Sequence, residues 1–179
     1  MRVAIVISAL LLTACMTPWN VEDDDLTLAV RSGDVARTRA LLASGADPNR
    51  PVGVNGWPPL MHAVHKNQLE TAAALIDRGA SIDKGGPEGM TPLMMAAGYG
   101  NDDMVDLLLR RGADPRVKAQ DGATALDFAI TGVSDIDKFT LFQCQESTVS
   151  LLVLRRPELH GTATAASRAW GRMKRCATS

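Results

Sequence analysis

Two histidines, His62 and His65, stand three residues apart in a segment that reads as helix, so both imidazoles would face one side. That spacing can hold a metal ion once a further ligand arrives. The remaining histidine, His160, is far away in sequence, and no cysteine lies near the pair. His62 is therefore read as a structural histidine and His65 as a surface one, with a small hydrolase or metal-handling protein as the competing reading. No Gly-x-Ser-x-Gly elbow, phosphate-cradling Gly-rich loop with Lys, or His-Glu-x-x-His helix occurs. Most carboxylates stand at helix starts and turns, where capping of free N–H groups accounts for them. The expectation is no catalytic residue, no bound metal and no cofactor.

The cysteines carry a different chemistry. Met1-Arg2 precedes an almost unbroken apolar run, Val3 to Leu12, which ends in Leu12-Thr13-Ala14-Cys15. The run is too short for a permanent membrane span and has the length of a secretory signal core. With no polar face to meet water, it makes a poor first helix of a folded domain, the alternative reading. The four residues resemble a bacterial lipobox. That resemblance implies a signal peptide at 1–14, a diacylglycerol on the Cys15 thiol, and a tether at 15–23. Multiple acyl chains, each buried CH₂ contributing about 0.8 kcal/mol, would hold the protein stably on a membrane. Met16 stands where Asp tends to retain such proteins at the inner membrane, which implies the outer membrane, facing the periplasm. Cys144 and Cys176 then remain as an even pair in an oxidising compartment. A disulfide between them would contribute roughly 3–4 kcal/mol, and two unpaired buried thiols are the alternative.

What positions these groups is a repeat. The chain has 179 residues, enough for one domain, and 46% of them are apolar but only 4% aromatic, which suits helices packed through small side chains. A formal net charge of −1 gives no electrostatic case for nucleic acid as a partner. Leu26, Leu60, Leu93 and Leu126 recur at steps of 34, 33 and 33. Gly45, Gly79 and Gly112 follow at 34 and 33, and Gly56, Gly89 and Gly122 at 33. The third period reads as a helix pair. Thr91 caps, Pro92 takes the first helical position, Ala96 and Ala97 allow close approach, and Gly100 ends the helix. Asp102 and Asp103 begin a second helix that buries Met104, Val105, Leu107, Leu108 and Leu109 and stops at Gly112.

Thr91-Pro92-Leu93, Ala96-Ala97, Gly100, Val105, Leu107-Leu108 and Gly112-Ala113-Asp114 resemble the ankyrin repeat, with Met94 in place of the usual His. The second period departs at Pro58 and Ser81, and the first at Asp24-Asp25. The resemblance implies an all-α solenoid of about four helix-pair repeats, at 24–53, 54–86, 87–120 and 121–159. The charged first unit, with Arg31, Arg37 and Arg39, suits a terminal cap. In the fourth, Thr124 to Val149 spans eleven residues more than Thr91 to Val105, so an insertion is expected near 133–145. It contains Phe139, Leu141 and Phe142 and would either bind something or cover the core edge. The tail at 160–179 places Ala166, Ala169, Trp170, Met173 and Cys176 on one helical stripe, a candidate capping helix.

The resemblance also implies a concave surface built from turns and first helices. Its positions here are Arg31 and Ser32, then Trp57, His65 and Lys66, then Met90, Gly98 and Tyr99, with Ala123 at the edge. Trp57 and Tyr99 are the expected anchors, since exposed aromatics dominate binding surfaces, and packing between neighbouring turns is the other reading for Trp57. The implied function is protein recognition near a membrane through a lipid anchor. The partner is expected to be a periplasm-acting toxin met by an immunity protein, or an envelope enzyme met by a scaffold. Nothing in the spacing sets the oligomeric state.

Overall fold

The leucine and alanine columns become two layers of helices in the computed structural model, which describes residues 24–51, 53, 55–132 and 145–159. Eight α-helices and no strand occur among the described residues: α1 Asp25–Ser32, α2 Val35–Ala43, α3 Pro59–His65, α4 Leu69–Asp77, α5 Pro92–Tyr99, α6 Asp102–Arg110, α7 Ala125–Thr131 and α8 Glu146–Arg155. A 3-10 turn, Pro157–Leu159, follows. The odd-numbered helices pack side by side as one layer and the even-numbered ones as the other, the first three pairs each joined by a short turn. The all-α helix-pair solenoid expected from the repeats is the architecture observed. No described helix is long and apolar enough to cross a membrane.

The shared interior explains the period. Leu26, Leu60, Leu93 and Leu126 are 1%, 1%, 0% and 2% exposed, and each joins the same continuous core. Ala29, Ala63, Ala96 and Ala129, also buried, let the two layers approach closely. Their carbonyls carry a second regularity. Each accepts the backbone N–H of the residue that caps the following helix: Asp34 at 3.0 Å, Gln68 at 2.9 Å, Asn101 at 3.0 Å and Gln145 at 2.8 Å. Those donors would otherwise be unsatisfied at a helix start.

The first helix of a pair must reverse within two residues, which demands a left-handed backbone. Gly33 and Gly100 supply it at φ 74° and 70°, and Asn67, the non-Gly residue that tolerates this region best, stands between them at 53°. In the fourth repeat Gly132 departs from the pattern. Its φ of 74° comes with ψ 175°, a region essentially reserved for glycine, so the chain leaves α7 in another direction. The chain then rejoins the stack at Gln145, which sits against Gly100 as Gln68 sits against Gly33. Thr148 donates to the Asp102 carboxylate at 2.5 Å, and Arg155 pairs with Asp106 at 2.5 Å, which fastens α8 to α6.

The starts of the first helices differ in chemistry. Asp24 accepts from the Thr27 N–H at 2.8 Å. Thr91 accepts from the Met94 N–H, and the Met94 thioether in return accepts from the Thr91 N–H, both at 3.3 Å. The fourth repeat replaces that thioether by the buried Asp127 carboxylate, which accepts the Thr124 N–H at 2.9 Å and its hydroxyl at 2.8 Å. In the second repeat Pro58 has no N–H to offer, so Met61 at the matching place is simply core.

One expected burial position differs from the structure. Leu107 is only partly buried, packed against the margin of the core. In α8, Val149 and Leu152 are buried and Leu154 is 77% exposed. The proposed capping tail and the inserted segment 133–144 lie outside the described residues, as do Cys15 with its signal and tether, Cys144, Cys176 and His160.

Candidate functional site

Three finger-like turns project beside the first-helix layer, and the third glycine column shapes them. Gly56, Gly89 and Gly122 hold φ of 59°, 74° and 83°, where a side chain would be strained. Each donates its N–H to the carbonyl three residues back, at 3.1, 2.9 and 2.9 Å. In the last two fingers a second bond closes the base, Gly86 N–H to the Met90 carbonyl at 3.1 Å and Ala119 N–H to the Ala123 carbonyl at 2.9 Å. The residues before these glycines, Asn55, Glu88 and Asp121, are thereby pushed into solvent at the fingertips. The last two fingers are themselves tied together, Gln120 donating from its backbone to the Glu88 carbonyl at 3.2 Å and from its side chain to the Pro87 carbonyl at 2.6 Å.

Between fingers and helices lie shallow hollows that share walls. The first, about 160 Å³, is bordered by Arg31, Asn55, Trp57, His62, His65 and Lys66. The second, about 280 Å³, runs from Trp57 across Pro87 and Glu88 to Met90. The third, about 310 Å³, continues from Met90 to Gln120, Asp121 and Phe128. Trp57 is the partition between the first two and Met90 between the last two.

Trp57 is half-buried, and part of its ring packs between neighbouring turns. One edge packs on the next finger, so closely that a β-carbon on Gly86 would lie 2.8 Å from Trp57 Cδ1. The ring also meets His62 and His65, each at a centroid distance of 5.5 Å. His65 in turn meets Tyr99 edge-on at 5.8 Å. Trp57, His65 and Tyr99 thus form a row across two repeats, joined by Lys66 and Arg31, both exposed. Of the expected partner-binding residues, the structure gathers Arg31, Trp57, His65 and Lys66 around one hollow. It links Tyr99 to them through His65 and sets Met90 one finger further along.

His62, read as structural, is 8% exposed yet borders the first hollow. Among the described residues no three His, Cys, Asp or Glu side chains converge on a point as metal ligands would. The fingertip residues Asn55, Glu88 and Asp121 were not picked out from the sequence, although they fall at steps of 33 immediately before a repeated glycine. Neither were the bonds that hold one finger loop to the next. Asn49 accepts the Ser81 N–H at 2.7 Å and donates to the Gly79 carbonyl at 2.9 Å, and Asp83 accepts the Asp114 N–H at 3.1 Å. Burial holds the Asp83 carboxyl above its ordinary range, the Asp114 N–H opposes this, and the nearby Asp114 carboxylate adds to it. Asp114 is held below that range, chiefly by the Arg116 guanidinium, which grips it with two bonds of 3.0 and 3.1 Å.

Comparison with known proteins fits this geometry. The family model for ankyrin repeats matches three overlapping stretches, residues 9–86, 26–119 and 82–148. An ankyrin repeat-containing protein of Treponema pallidum (strain Nichols) is 45% identical over 76 residues, 42% of this chain and 26% of its own length. A transient receptor potential cation channel subfamily A member 1 homolog of Caenorhabditis elegans is 36% identical over 58% of this chain and 8% of its own. The palmitoyltransferase Hip14 of Drosophila melanogaster is 34% identical over 57% of this chain and 16% of its own. The chain spans about a quarter or less of these curated relatives. With that match covering most of its length, and helix pairs stacked in two layers, the chain belongs to the ankyrin-repeat family.

Proposed function

We propose that this protein is a non-catalytic binding module at a bacterial envelope, capturing a partner protein through the surface lined by its fingers and first helices. Ankyrin repeats serve as protein–protein interaction modules, and the observation that carries the reading to a particular face is the row Trp57–His65–Tyr99. Large rings that are partly buried at their base and open at one edge supply contact area with little conformational entropy to lose. The hollows on either side of Trp57 are too shallow to enclose a small molecule, which favours a partner that lies across several repeats.

Placement at the outer membrane, facing the periplasm, rests on Leu12-Thr13-Ala14-Cys15 after the apolar run, with Cys15 as the acylated residue. In that setting a binding module without turnover acts by shielding or inhibiting what it holds, as an immunity protein does against a periplasm-acting toxin. Trp57→Ala combined with Tyr99→Ala should abolish capture of the partner from envelope extract, while circular dichroism shows unchanged helicity. Undiminished capture by the double variant would remove the face. Metabolic labelling with palmitate tests the anchor separately, and label retained in Cys15→Ser would remove the envelope reading.

A further inference from the structure

Charge is not spread evenly along this face. At the first hollow the exposed cations Arg31 and Lys66 stand beside the Trp57 and His65 rings, and among the described residues no acidic side chain lines it. One and two fingers further on, the exposed tips are Glu88 and Asp121, which border the second and third hollows with no cation among their lining residues. Lys66 and Glu88 have no ion pair among the described residues, so neither charge is already neutralised by a described neighbour.

We infer that the partner presents an extended, charge-ordered segment, an acidic side chain entering the hollow at Lys66 and a basic side chain meeting Glu88 one finger along. This rests on the proposed binding face and names the chemistry that face selects. A carboxylate in the first hollow gains the Lys66 ammonium, and its aliphatic stem packs on Trp57. A carboxylate shifted to the Glu88 tip meets a like charge, so orientation along the solenoid is set by repulsion as well as attraction. An anionic lipid surface would satisfy the basic end alone and would be repelled by the fingertips.

The test selects binders to the full-length protein, held in detergent, from a displayed random-peptide library. Selected peptides should carry an acidic residue followed at a fixed spacing by a basic one. Measured by fluorescence polarisation, their affinity should fall at least about tenfold on Lys66→Glu and on Glu88→Lys, about 1.4 kcal/mol each. A peptide with its acid replaced by lysine should recover binding to Lys66→Glu. Both substitutions lie on exposed side chains, and circular dichroism checks that the fold persists. Peptides lost on Trp57→Ala with Tyr99→Ala but indifferent to both charge reversals would overturn the inference and leave the binding face standing. Peptides indifferent to all of these variants would remove both. A selection without acidic enrichment, or binding only to phosphatidylglycerol vesicles, would overturn the charge-ordered segment.

Discussion

Asn49 and Asp83 occupy the same place in successive repeats and accept the same bond, one without charge and one with it. The comparison isolates what the carboxylate adds. Because burial holds the Asp83 carboxyl above its ordinary range, the contribution of this group to stability is greatest below its unfolded-state value. It declines as pH rises through the folded value. Asp83→Asn keeps an oxygen for the Asp114 N–H and removes that decline. In urea melts it should match or exceed the parent at neutral pH by a few tenths of a kcal/mol, solvent screening of a partly exposed group keeping the gain small. The advantage should vanish as pH falls through the carboxylate range. Asp83→Ala leaves the N–H without its acceptor and should cost about 1–2 kcal/mol at either pH. These bonds were not legible in the sequence, because side chains that reach from one repeat to the next leave no periodic trace once Asn is exchanged for Asp. Trp57, His65 and Lys66 were legible because the position in the repeat predicts the face, whatever residue fills it.

At the scale of the element, the fourth repeat shows how far the helix-pair unit tolerates interruption. Second helices are capped at Asp34, Gln68 and Asn101, then at Gln145, eleven residues later than the period requires. Yet the Gln145 N–H finds the Ala129 carbonyl as its counterparts find theirs, and its side chain covers Gly100. The anchoring contacts of α8, with Asp102, Asp106 and Ala129, all come from the standard repeat. Removing residues 134–144 together with Val133→Gly, which restores a left-handed position in the column of Gly100, should therefore yield a folded protein. Its thermal midpoint, followed by circular dichroism, should fall by no more than about 2–4 °C, the shift of a 1 kcal/mol loss in a domain of this size. A collapse of the transition would show that the insertion is part of the core. The helix positions themselves were readable because Leu, Ala and Gly columns report core, close approach and reversal. The exposure of Leu154 was not, since an apolar run looks the same whether or not a further helix covers it.

Across the whole molecule, stability passes from neighbour to neighbour, because among the described residues each helix pair packs chiefly on those beside it. The interior is unequal along that line. Helix α2 buries only Thr38 and Leu42, whereas α6 buries Met104, Val105, Leu108 and Leu109. Among the described residues the first pair has one neighbouring pair and a thin core, so it should open without the rest, and its amides should exchange first in native-state hydrogen exchange. Leu42→Ala should lower protection in α1 and α2 by about 2 kcal/mol and leave α5 and α6 unchanged, since the opening it promotes stops at the second pair. Leu93→Ala strikes a fully buried side chain in the third pair, which touches both sides of the stack. It should lower protection in every helix by about 3–5 kcal/mol, as the repeats on either side lose the surface they pack against. Equal losses throughout the chain from both substitutions would mean that the solenoid opens only as one unit.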